Sequence, residues 1–508
     1  MMRTRQARIL VSTAMTVAAA LLAASCRKAS PPPVVLNGIV IEHATLISPE
    51  RVEPLKNVDV VIRDGRIAAV GPDLGATSGA RRIDVRGRYL IPGLIDSHTH
   101  PGNPMALDED AIEKHPGLLT AYRTQVPRAY LAFGVTTVVD VDSRPETRAW
   151  FEASPLHPRL FHCGRAVRIA GGYGAQRVPA DATSKDFPYL VYEPTQAGSW
   201  PATLKPEDHS PARVVERVAQ AGGRCVKTFV ESGFGLFDWP VPGRETLRAL
   251  RDEARQRGLT FIVHANSIDA WRAAIDAQAD VIAHGLWHWP GKWLDSTPPE
   301  AAKAVIEAAA QAGVRVQPTV RVLQNDRSAF DWGIIDDPRM RWVLPNSIQT
   351  YLRTQEAHSA RLALARQYEA AAKSVGETSG AAALIAAANA RALATTRLMA
   401  AAHVRLVFGS DTPSGEGVGN PPGLNGRLEL QQWADAGIPL SQILRAATID
   451  NASAFGLERE LGTIEVGKRA DLVLLGHDPL ENVTAYDSID TVFVNGEPIA
   501  RTRLLADE

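Results

Sequence analysis

The sequence predicts an α/β protein, a (β/α)8 TIM barrel with a small β-sandwich domain that both terminal segments form. Three observations predict this fold. Eight short apolar runs alternate with helical stretches in the middle of the chain. Apolar and polar positions alternate near both ends. The chain, with 508 residues, is also too long to fold around one simple core. The composition, with 45% hydrophobic and 22% charged residues, is that of a folded protein.

The first segment, residues 1–33, precedes the predicted fold. Three arginines come before an apolar run, residues 9–24, which is short for a membrane span and typical of a signal peptide. The run ends in "LLAASC", which resembles a lipobox with Cys26 as the acylated residue, although Ala23 stands where leucine is most typical. We expect an exported bacterial lipoprotein of the periplasm or outer membrane, with plain secretion as the alternative. "RKASPPP" then predicts a stiff polar tether.

The terminal β segments are residues 34–90 and 460–503. Both show alternating apolar and polar positions, with an Asp-Gly turn in "RDGRI" and an Asn-Gly turn in "VNGEPI". Because each segment can bury only one face, we expect the two to complete a single sandwich.

The predicted barrel covers residues 91–459. Its eight expected strands are residues 93–98, 136–141, 159–164, 224–230, 260–265, 281–285, 315–319 and 405–411. An Ala-rich, helix-prone insertion at about residues 324–402 is either a cap that shapes the pocket or a helix pair for contacts in a homo-oligomer. Cys163 and Cys225, inside predicted strands, are expected to be small buried residues and not a disulfide framework or a metal knuckle.

The distribution of charge in the sequence indicates which partners to expect. The net charge is −1 and the basic residues are scattered, so the footprint of a nucleic-acid-binding protein is absent. We expect a small-molecule partner, and a membrane contact only through the N-terminal anchor.

Six polar side chains lie on or just after the predicted strands. They are His98, His100, Lys227, His264, His284 and Asp411. His98 and His100 are two residues apart and therefore share one face of an extended chain. The carboxyl ends of barrel strands meet on one side, so all six side chains can converge there.

Each of the six also has an ordinary structural explanation. A lone histidine in an apolar run is often a hydrogen-bonded core residue, and an aspartate at a strand end often caps the next helix. Lys227 is harder to explain, because an isolated buried ammonium costs several kcal/mol and tends to lose its proton. A neutral lysine amine beside a metal ion can instead add carbon dioxide and become a carbamate.

The chain resembles the amidohydrolase superfamily, within the imidazolonepropionase-related group that includes Xaa-Pro dipeptidases. The stretches that carry the resemblance are "LIPGLIDSHTH", "GRAVRIAGGYG", "CVKTFVESG", "VHANS", "IAHG", "FGSDT", "AATIDNASAFGL" and "GTIEVGKRADLVLL". The resemblance implies a two-metal centre. It assigns His98, His100 and Asp411 to one ion, His264 and His284 to the other, and a carboxylated Lys227, formed with carbon dioxide, to the bridge.

The resemblance also implies a mechanism. Imidazole and oxygen ligands without thiolate suit zinc. Two such ions lower the pKa of a shared water towards roughly 7, which gives hydroxide at neutral pH. Asp411 is expected to act as general base and then as the acid that protonates the leaving amine.

Substrate contacts are expected from two loops. Tyr173 stands where the resembling dipeptidases often carry a histidine, and it either hydrogen-bonds a substrate carbonyl or packs over the barrel mouth. Trp287 and His288, with two further tryptophans in "HGLWHWPGKW", suit an apolar or aromatic substrate group, with ordinary packing as the alternative.

Three functional hypotheses follow. The first is an exported metal-dependent hydrolase that cleaves an amide bond in a dipeptide or an N-acyl amino acid. The second is a cyclic-amide (imidazolonepropionase-like) or lactone hydrolase with the same metals. The third is a non-catalytic envelope binding protein, which the filled ligand positions disfavour.

Overall fold

The computed structural model describes residues 38–74 and 79–506. The predicted signal peptide, Cys26 and the tether lie outside the described residues. Within them, no helix combines the length and the apolar character that crossing a membrane requires.

Sixteen strands run along the described chain. Those before the predicted barrel are β1 (Ile39–Leu46), β2 (Leu55–Arg63), β3 (Arg66–Gly71), β4 (Arg81–Asp84) and β5 (Tyr89–Pro92). The central ones are β6 (Leu94–Thr99), β7 (Val135–Asp140), β8 (Arg159–His162), β9 (Cys225–Phe229), β10 (Thr260–His264), β11 (Val281–Ala283), β12 (Arg315–Gln317) and β13 (Arg405–Leu406). The last are β14 (Leu472–Leu475), β15 (Ile489–Val494) and β16 (Glu497–Ala500).

Strands from both ends of the chain belong to one eight-stranded sheet, in the order β16-β15-β14-β5-β1-β2-β3, with β4 beside β1. Inward side chains of both segments share one apolar cluster, which includes Ile41, Val60, Leu90, Leu472 and Phe493. The alternating apolar positions in the sequence therefore correspond to the buried face of this sheet, to which both segments contribute.

The two predicted hairpin turns are confirmed. β2 and β3 pair around Asp64-Gly65, and β15 and β16 pair around Asn495-Gly496. All four turn residues have positive φ angles, of 51° and 70° in the first turn and 51° and 82° in the second. Asp-Gly and Asn-Gly favour this conformation, which matches the right-handed twist of the flanking strands.

The eight predicted central strands are also confirmed, in two parallel sheets. One contains β6, β7 and β8, and the other runs from β9 to β13. Backbone hydrogen bonds outside the ladders connect the edges of the two sheets. Asp411 N donates to His98 O over 2.8 Å at one edge, and Arg224 N donates to His162 O over 2.7 Å at the other. The result is a TIM-barrel-like α/β fold.

Fourteen α-helices accompany these strands in the part of the chain that the structure describes. The helices up to β10 are α1 (Glu109–Lys114), α2 (Pro116–Ala132), α3 (Pro145–Glu152), α4 (Pro211–Gln220) and α5 (Arg244–Gln256). Those that follow are α6 (Ile268–Asp276), α7 (Glu300–Ala312), α8 (Gln324–Arg327), α9 (Asn346–Leu352), α10 (Gln355–Ser374), α11 (Ala381–Ala401), α12 (Leu424–Asp435), α13 (Leu440–Ala446) and α14 (Ile449–Ala454). In α5, Leu247, Leu250 and Ala254 are buried at a helical spacing, so one stripe faces the strands.

Cys163 and Cys225 correct the sequence expectation, because they form a disulfide. The prediction that both are buried is right, since both are 0% exposed. Cys163 directly follows β8 and Cys225 begins β9, so the fold brings the two side chains together at adjacent sheet edges. The two cysteines are 62 residues apart in the sequence, so the sequence alone does not show that they are neighbours in the fold.

Candidate metal centre

All six predicted polar side chains lie at one side of the central strands. His98 and Lys227 belong to β6 and β9, and His264 ends β10. His284 directly follows β11, and Asp411 lies five residues beyond β13. The parallel strands therefore bring side chains that are more than 300 positions apart to a common end.

Asp411 is at the centre of the group. Its Oδ1 lies 3.1 Å from His100 Nε2 and 3.6 Å from His98 Nε2. Its Oδ2 lies 3.6 Å from His284 Nδ1. One nitrogen each of His98 and His284 and one oxygen of Asp411 fall within 4.8 Å of one another, close enough for a single ion to contact all three.

Lys227 points into the same group. Its Nζ lies 3.3 Å from His98 Nε2, and the side chain is only 2% exposed. Burial lowers the pKa of Lys227 to about 7, although the Asp411 carboxylate opposes the shift. A substantial fraction of the amine is therefore neutral at neutral pH.

His264 extends the group on its far side. Its ring centroid lies 4.4 Å from that of His284, and its Nε2 lies 3.3 Å from Glu231 Oε2. Glu231 also accepts hydrogen bonds from Asn266 and from the backbone N–H groups of Gly233 and Phe234. The carboxylate thus fixes the orientation of His264 and the start of the loop that follows β9.

Two further polar residues orient the histidine rings. His98 Nδ1 lies 3.0 Å from Gln317 Oε1, and His284 Nδ1 lies 2.8 Å from Thr319 Oγ1. Gln317 also donates to Ser97 O over 3.0 Å, which fixes its amide orientation, so that Oε1 faces the ring of His98. Partners of this kind set which ring nitrogen is free to bind a metal.

The backbone at the site is unusual for residues other than glycine. His284 has a φ angle of 82°, Asp411 of 54° and Thr319 of 43°. Non-glycine residues in this region cost on the order of 1–3 kcal/mol each, and they cluster at functional sites. The surrounding contacts therefore hold the backbone of two of the six residues, His284 and Asp411, in a strained conformation.

The protonation states favour metal binding. Burial, with the nearby Lys227 charge, holds the pKa of His98 well below its usual value. Burial and His264 do the same for the pKa of His284. Burial would raise the pKa of Asp411, but its histidine neighbours hold it well below the usual range. The site therefore presents neutral imidazoles at His98 and His284 and an ionised carboxylate at Asp411, which are the forms that bind metal.

The donor set fits zinc or a similar divalent ion. It offers imidazole nitrogens and carboxylate oxygen, and the cysteine sulfurs of the described residues are paired in the disulfide.

Two of the predicted substrate residues, Tyr173 and Trp287, contact histidines of the site. Tyr173 stacks on His264, with ring centroids 5.3 Å apart. Trp287 is only 7% exposed, its ring centroid lies 5.7 Å from that of His284, and it also packs on Val320 and Ala392 of the region around α11. His288 is half-buried and lies 5.7 Å from Trp293, measured between ring centroids.

A further group of aromatic rings borders the site, and most of it comes from a stretch that the sequence analysis does not single out. Tyr173 contacts Phe229, Phe234 and Trp239, with ring centroids 5.2 to 5.6 Å apart. Phe237, which is 53% exposed, stacks on Trp239. We call these five rings the aromatic wall. Only Tyr173 was expected from the sequence, and the cluster of rings in "FVESGFGLFDW" is the signal that could have found the others.

Glu231 and Gln317 were also missed as site residues. Glu231 falls inside "CVKTFVESG", directly after β9, where a buried acid before two glycines marks a loop that the side chain must hold. Gln317 carries no such signal, because a glutamine at the end of a short strand is common.

Comparison with known proteins agrees with this geometry. The amidohydrolase family matches residues 89–499. A D-hydantoinase from Rhizobium radiobacter is 23% identical over 499 residues, which cover 92% of this chain and 95% of the relative. An imidazolonepropionase from Caldanaerobacter subterraneus subsp. tengcongensis is 41% identical over 238 residues, which cover 43% of this chain and about half of the relative, 54%.

A solved structure extends the likeness to the fold. The crystal structure of a Xaa-Pro dipeptidase with bound methionine in its active site superposes with a TM-score of 0.63 and 19% identity, over 91% of this chain and 99% of that one. At this identity the likeness concerns the fold alone. The chain belongs to the amidohydrolase family, as a metal-binding hydrolase that acts on carbon–nitrogen bonds.

Proposed function

We propose that the chain is a two-metal amidohydrolase that cleaves a linear amide bond in a dipeptide or an N-acyl amino acid. The observation that carries the proposal is the convergence of three histidine rings and Lys227 around the Asp411 carboxylate. His98, His100 and Asp411 would hold one ion, His264 and His284 the other, and a carboxylated Lys227 both. The closure of the eight central strands into a (β/α)8 barrel, with the terminal sheet as a small β domain, completes the proposed architecture.

Carboxylation of Lys227 balances as a simple addition. The neutral Nζ forms a bond to the carbon of carbon dioxide and releases one proton, which leaves a carbamate anion. The lowered pKa of Lys227, about 7, supports this step because only the neutral amine is nucleophilic.

Asp411 is the proposed proton carrier. When bound, the metal ions supply Lewis acidity and lower the pKa of water. The Asp411 carboxylate stays ionised among its histidine neighbours, so it can accept a proton from the attacking water. It then returns that proton to the departing nitrogen, which leaves as an amine.

The aromatic wall supports an apolar or aromatic group in the substrate. Phe237 and Trp239 present a stacked face, with ring centroids 4.9 Å apart, next to the rings that pack on His264. A substrate ring that replaces water on this face gains both area burial and ring contacts. Trp239→Ala should therefore lower kcat/KM about tenfold for a substrate with an aromatic side chain and less for its alanine analogue.

Elemental analysis with a substrate panel tests the proposal. We expect about two zinc or other divalent ions per chain and metal-dependent release of amine from dipeptides or N-acyl amino acids. Hydrolysis of hydantoins or lactones alone would favour the cyclic-substrate alternative, which the long match to a D-hydantoinase supports. A chain that binds no ion would contradict both and leave a binding protein.

The chain is also proposed to act outside the cytoplasm, as a lipoprotein or a secreted protein. The charged and apolar pattern of residues 1–26 supports export. The buried disulfide supports it independently, because structural disulfides persist in oxidising compartments. Labelling with a radioactive fatty acid would separate an acylated Cys26 from plain secretion.

A further inference from the structure

We propose that the Cys163–Cys225 disulfide positions Lys227 for metal binding, so that the chain acquires its full metal complement only where this disulfide can form. The inference rests on the proposed two-metal function. It adds a dependence of that site on the redox state of a covalent link that lies outside the ligand set.

The disulfide lies where the hydrogen-bonded strand ladder is interrupted. β8 is the edge of the three-stranded sheet and β9 the edge of the five-stranded one, and no ladder pairs the two among the described residues. Two backbone hydrogen bonds cross near this gap, from Arg224 N to His162 O and from Val167 N to Lys227 O, each over 2.7 Å. The disulfide is the covalent connection across the same gap.

The opposite gap, between β13 and β6, has no disulfide among the described residues. Ser97 N donates to Phe408 O, Asp411 N donates to His98 O, and His100 N donates to Thr412 O. These bonds attach directly to the predicted ligands of that side. On the β8–β9 side, the bond from Val167 N to Lys227 O holds the ligand's own backbone in the same way, and the disulfide adds a covalent link two residues away.

Cys225 lies on the same strand as Lys227, closer to the start of β9. The two residues are two positions apart in β9 and therefore face the same side of the strand. Cys225 packs with Cys163, Ile262 and Val139 in an apolar cluster that residues on or next to the central strands form. Metal ligands must be placed to within roughly 0.2 Å, so a shift of β9 would separate Lys227 from the histidines of β6 and β10.

Formation of the link is a two-electron oxidation. Each thiol loses one proton and one electron, and the sulfur–sulfur bond forms. The disulfide bond of an oxidant, such as oxidised glutathione or a thiol oxidoreductase, breaks as it takes up the two electrons and two protons and becomes two thiols. The redox potential of a reducing cytoplasm is too low for this oxidation, whereas the potential of an oxidising compartment allows it. The chain would thus become competent for metal after export.

The experiment compares the wild type with Cys163→Ala/Cys225→Ala. Both are stripped of metal and titrated with buffered zinc, and each is exposed to 13C-labelled bicarbonate for detection of the lysine carbamate by NMR. We expect the double variant to retain its secondary structure but to bind the second zinc at least tenfold more weakly and to lose the carbamate signal. Val281→Ala, which removes methyl groups from the same apolar cluster without breaking the link, should retain both.

Equal zinc affinities and an equal carbamate signal in the double variant would overturn the proposal. Should that variant fail to fold, wild-type protein refolded with a phosphine reductant is compared with protein refolded in a glutathione redox buffer. Equal zinc content in both samples would again overturn it. If the disulfide-bonded wild type binds no zinc at all, the proposed function itself fails, and this inference fails with it.

Discussion

The Asp411 carboxylate contacts three of the proposed ligands. Its two oxygens lie within 3.6 Å of nitrogens from three histidines, which come from two different strand ends. Its backbone N–H donates to His98 O, and Asn420 Nδ2 donates to its carbonyl oxygen over 3.1 Å. A carboxylate held this firmly can bind metal and carry a proton without moving far between the two tasks.

Asp411→Asn should separate those two tasks. The amide is nearly isosteric and leaves an oxygen for metal, but it cannot accept a proton at neutral pH. We expect the fold and the metal content to be retained and kcat to fall by about 10²- to 10⁴-fold. Circular dichroism, elemental analysis and steady-state kinetics measure the three quantities. Full activity would remove Asp411 from the proton transfer.

Lys227→Ala should act on metal content first. Without the amine there is no anionic bridge, so we expect fewer than two ions per chain and a matching loss of activity. Lys56→Ala, which removes an exposed lysine from β2, is the matched control and should change neither quantity. Unchanged binding of two ions by the Lys227 variant would argue against the bridge.

How far these residues could be predicted from the sequence depends on the kind of signal each one gives. His98 and His100 share a face because their spacing matches the strand repeat, and the structure places them together. Gln317 and Thr319 act only through the rings that they contact. Their role depends on which strands are neighbours, which no local pattern in the sequence contains.

At the scale of elements, the loop that follows β7 connects the strands to the aromatic wall. Asp142 Oδ1 accepts a hydrogen bond from Arg165 Nε over 2.7 Å, and Asp142 Oδ2 accepts one from Arg168 Nη2 over 2.8 Å. Arg168 lies 4.7 Å from the centroid of the Phe229 ring. The ion pair therefore holds the start of the segment that carries Tyr173.

Because of this ion pair, the free energy of unfolding should depend on pH in the acidic range. Burial would raise the pKa of Asp142, but Arg168 and Arg165 hold it well below the usual value of 3.8. A lowered folded-state pKa stabilises the fold above about pH 4, and that contribution is lost as pH falls towards the folded-state pKa. Asp142→Asn should lower the free energy of unfolding by about 3 kcal/mol at pH 7 and by less at pH 3. Denaturant unfolding at both pH values measures the difference, and an equal loss at both would contradict the assignment.

The elements were predictable to different degrees. The central strands are short apolar runs bounded by turns, so all eight could be found in the sequence. The last was predicted over residues 405–411, but β13 ends at Leu406. Beyond it, Val407 N donates to Val316 O and Phe408 N donates to Ala446 O, so the chain continues buried without a regular ladder. An apolar run in the sequence indicates that residues are buried, but it does not indicate whether they form regular hydrogen bonds with a neighbouring strand. The predicted strand is therefore longer than the observed one.

The whole molecule is held together by contacts between its two ends and the central strands. β5 pairs with β14 in the terminal sheet, and Gly93 N, between β5 and β6, donates to Asp471 O over 2.8 Å. The Asp471 carboxylate accepts hydrogen bonds from Arg159 of β8 and from Asn495 N. One buried residue therefore joins the terminal sheet, its last hairpin and the three-stranded central sheet.

Asp471→Ala should consequently destabilise the entire protein. The substitution leaves Arg159, whose side chain is 17% exposed, without its carboxylate, and it removes the acceptor of Asn495 N. Breaking a buried pair in this way costs about 3–5 kcal/mol. We expect the midpoint of denaturant unfolding to fall accordingly, together with zinc retention at intermediate denaturant, because the terminal sheet and the metal-bearing strands share this contact.

Asp490→Ala is the matched control for this prediction. Asp490 also pairs with an arginine of the terminal sheet, Arg88, but both side chains are more than 40% exposed. Water screens such a pair, so its loss should cost about 0–1 kcal/mol and leave the unfolding midpoint almost unchanged. If the two variants lost the same stability, or if only the terminal sheet unfolded in the Asp471 variant while zinc stayed bound, the two parts would be independent. The expected coupling instead makes the terminal sheet a support for the metal site.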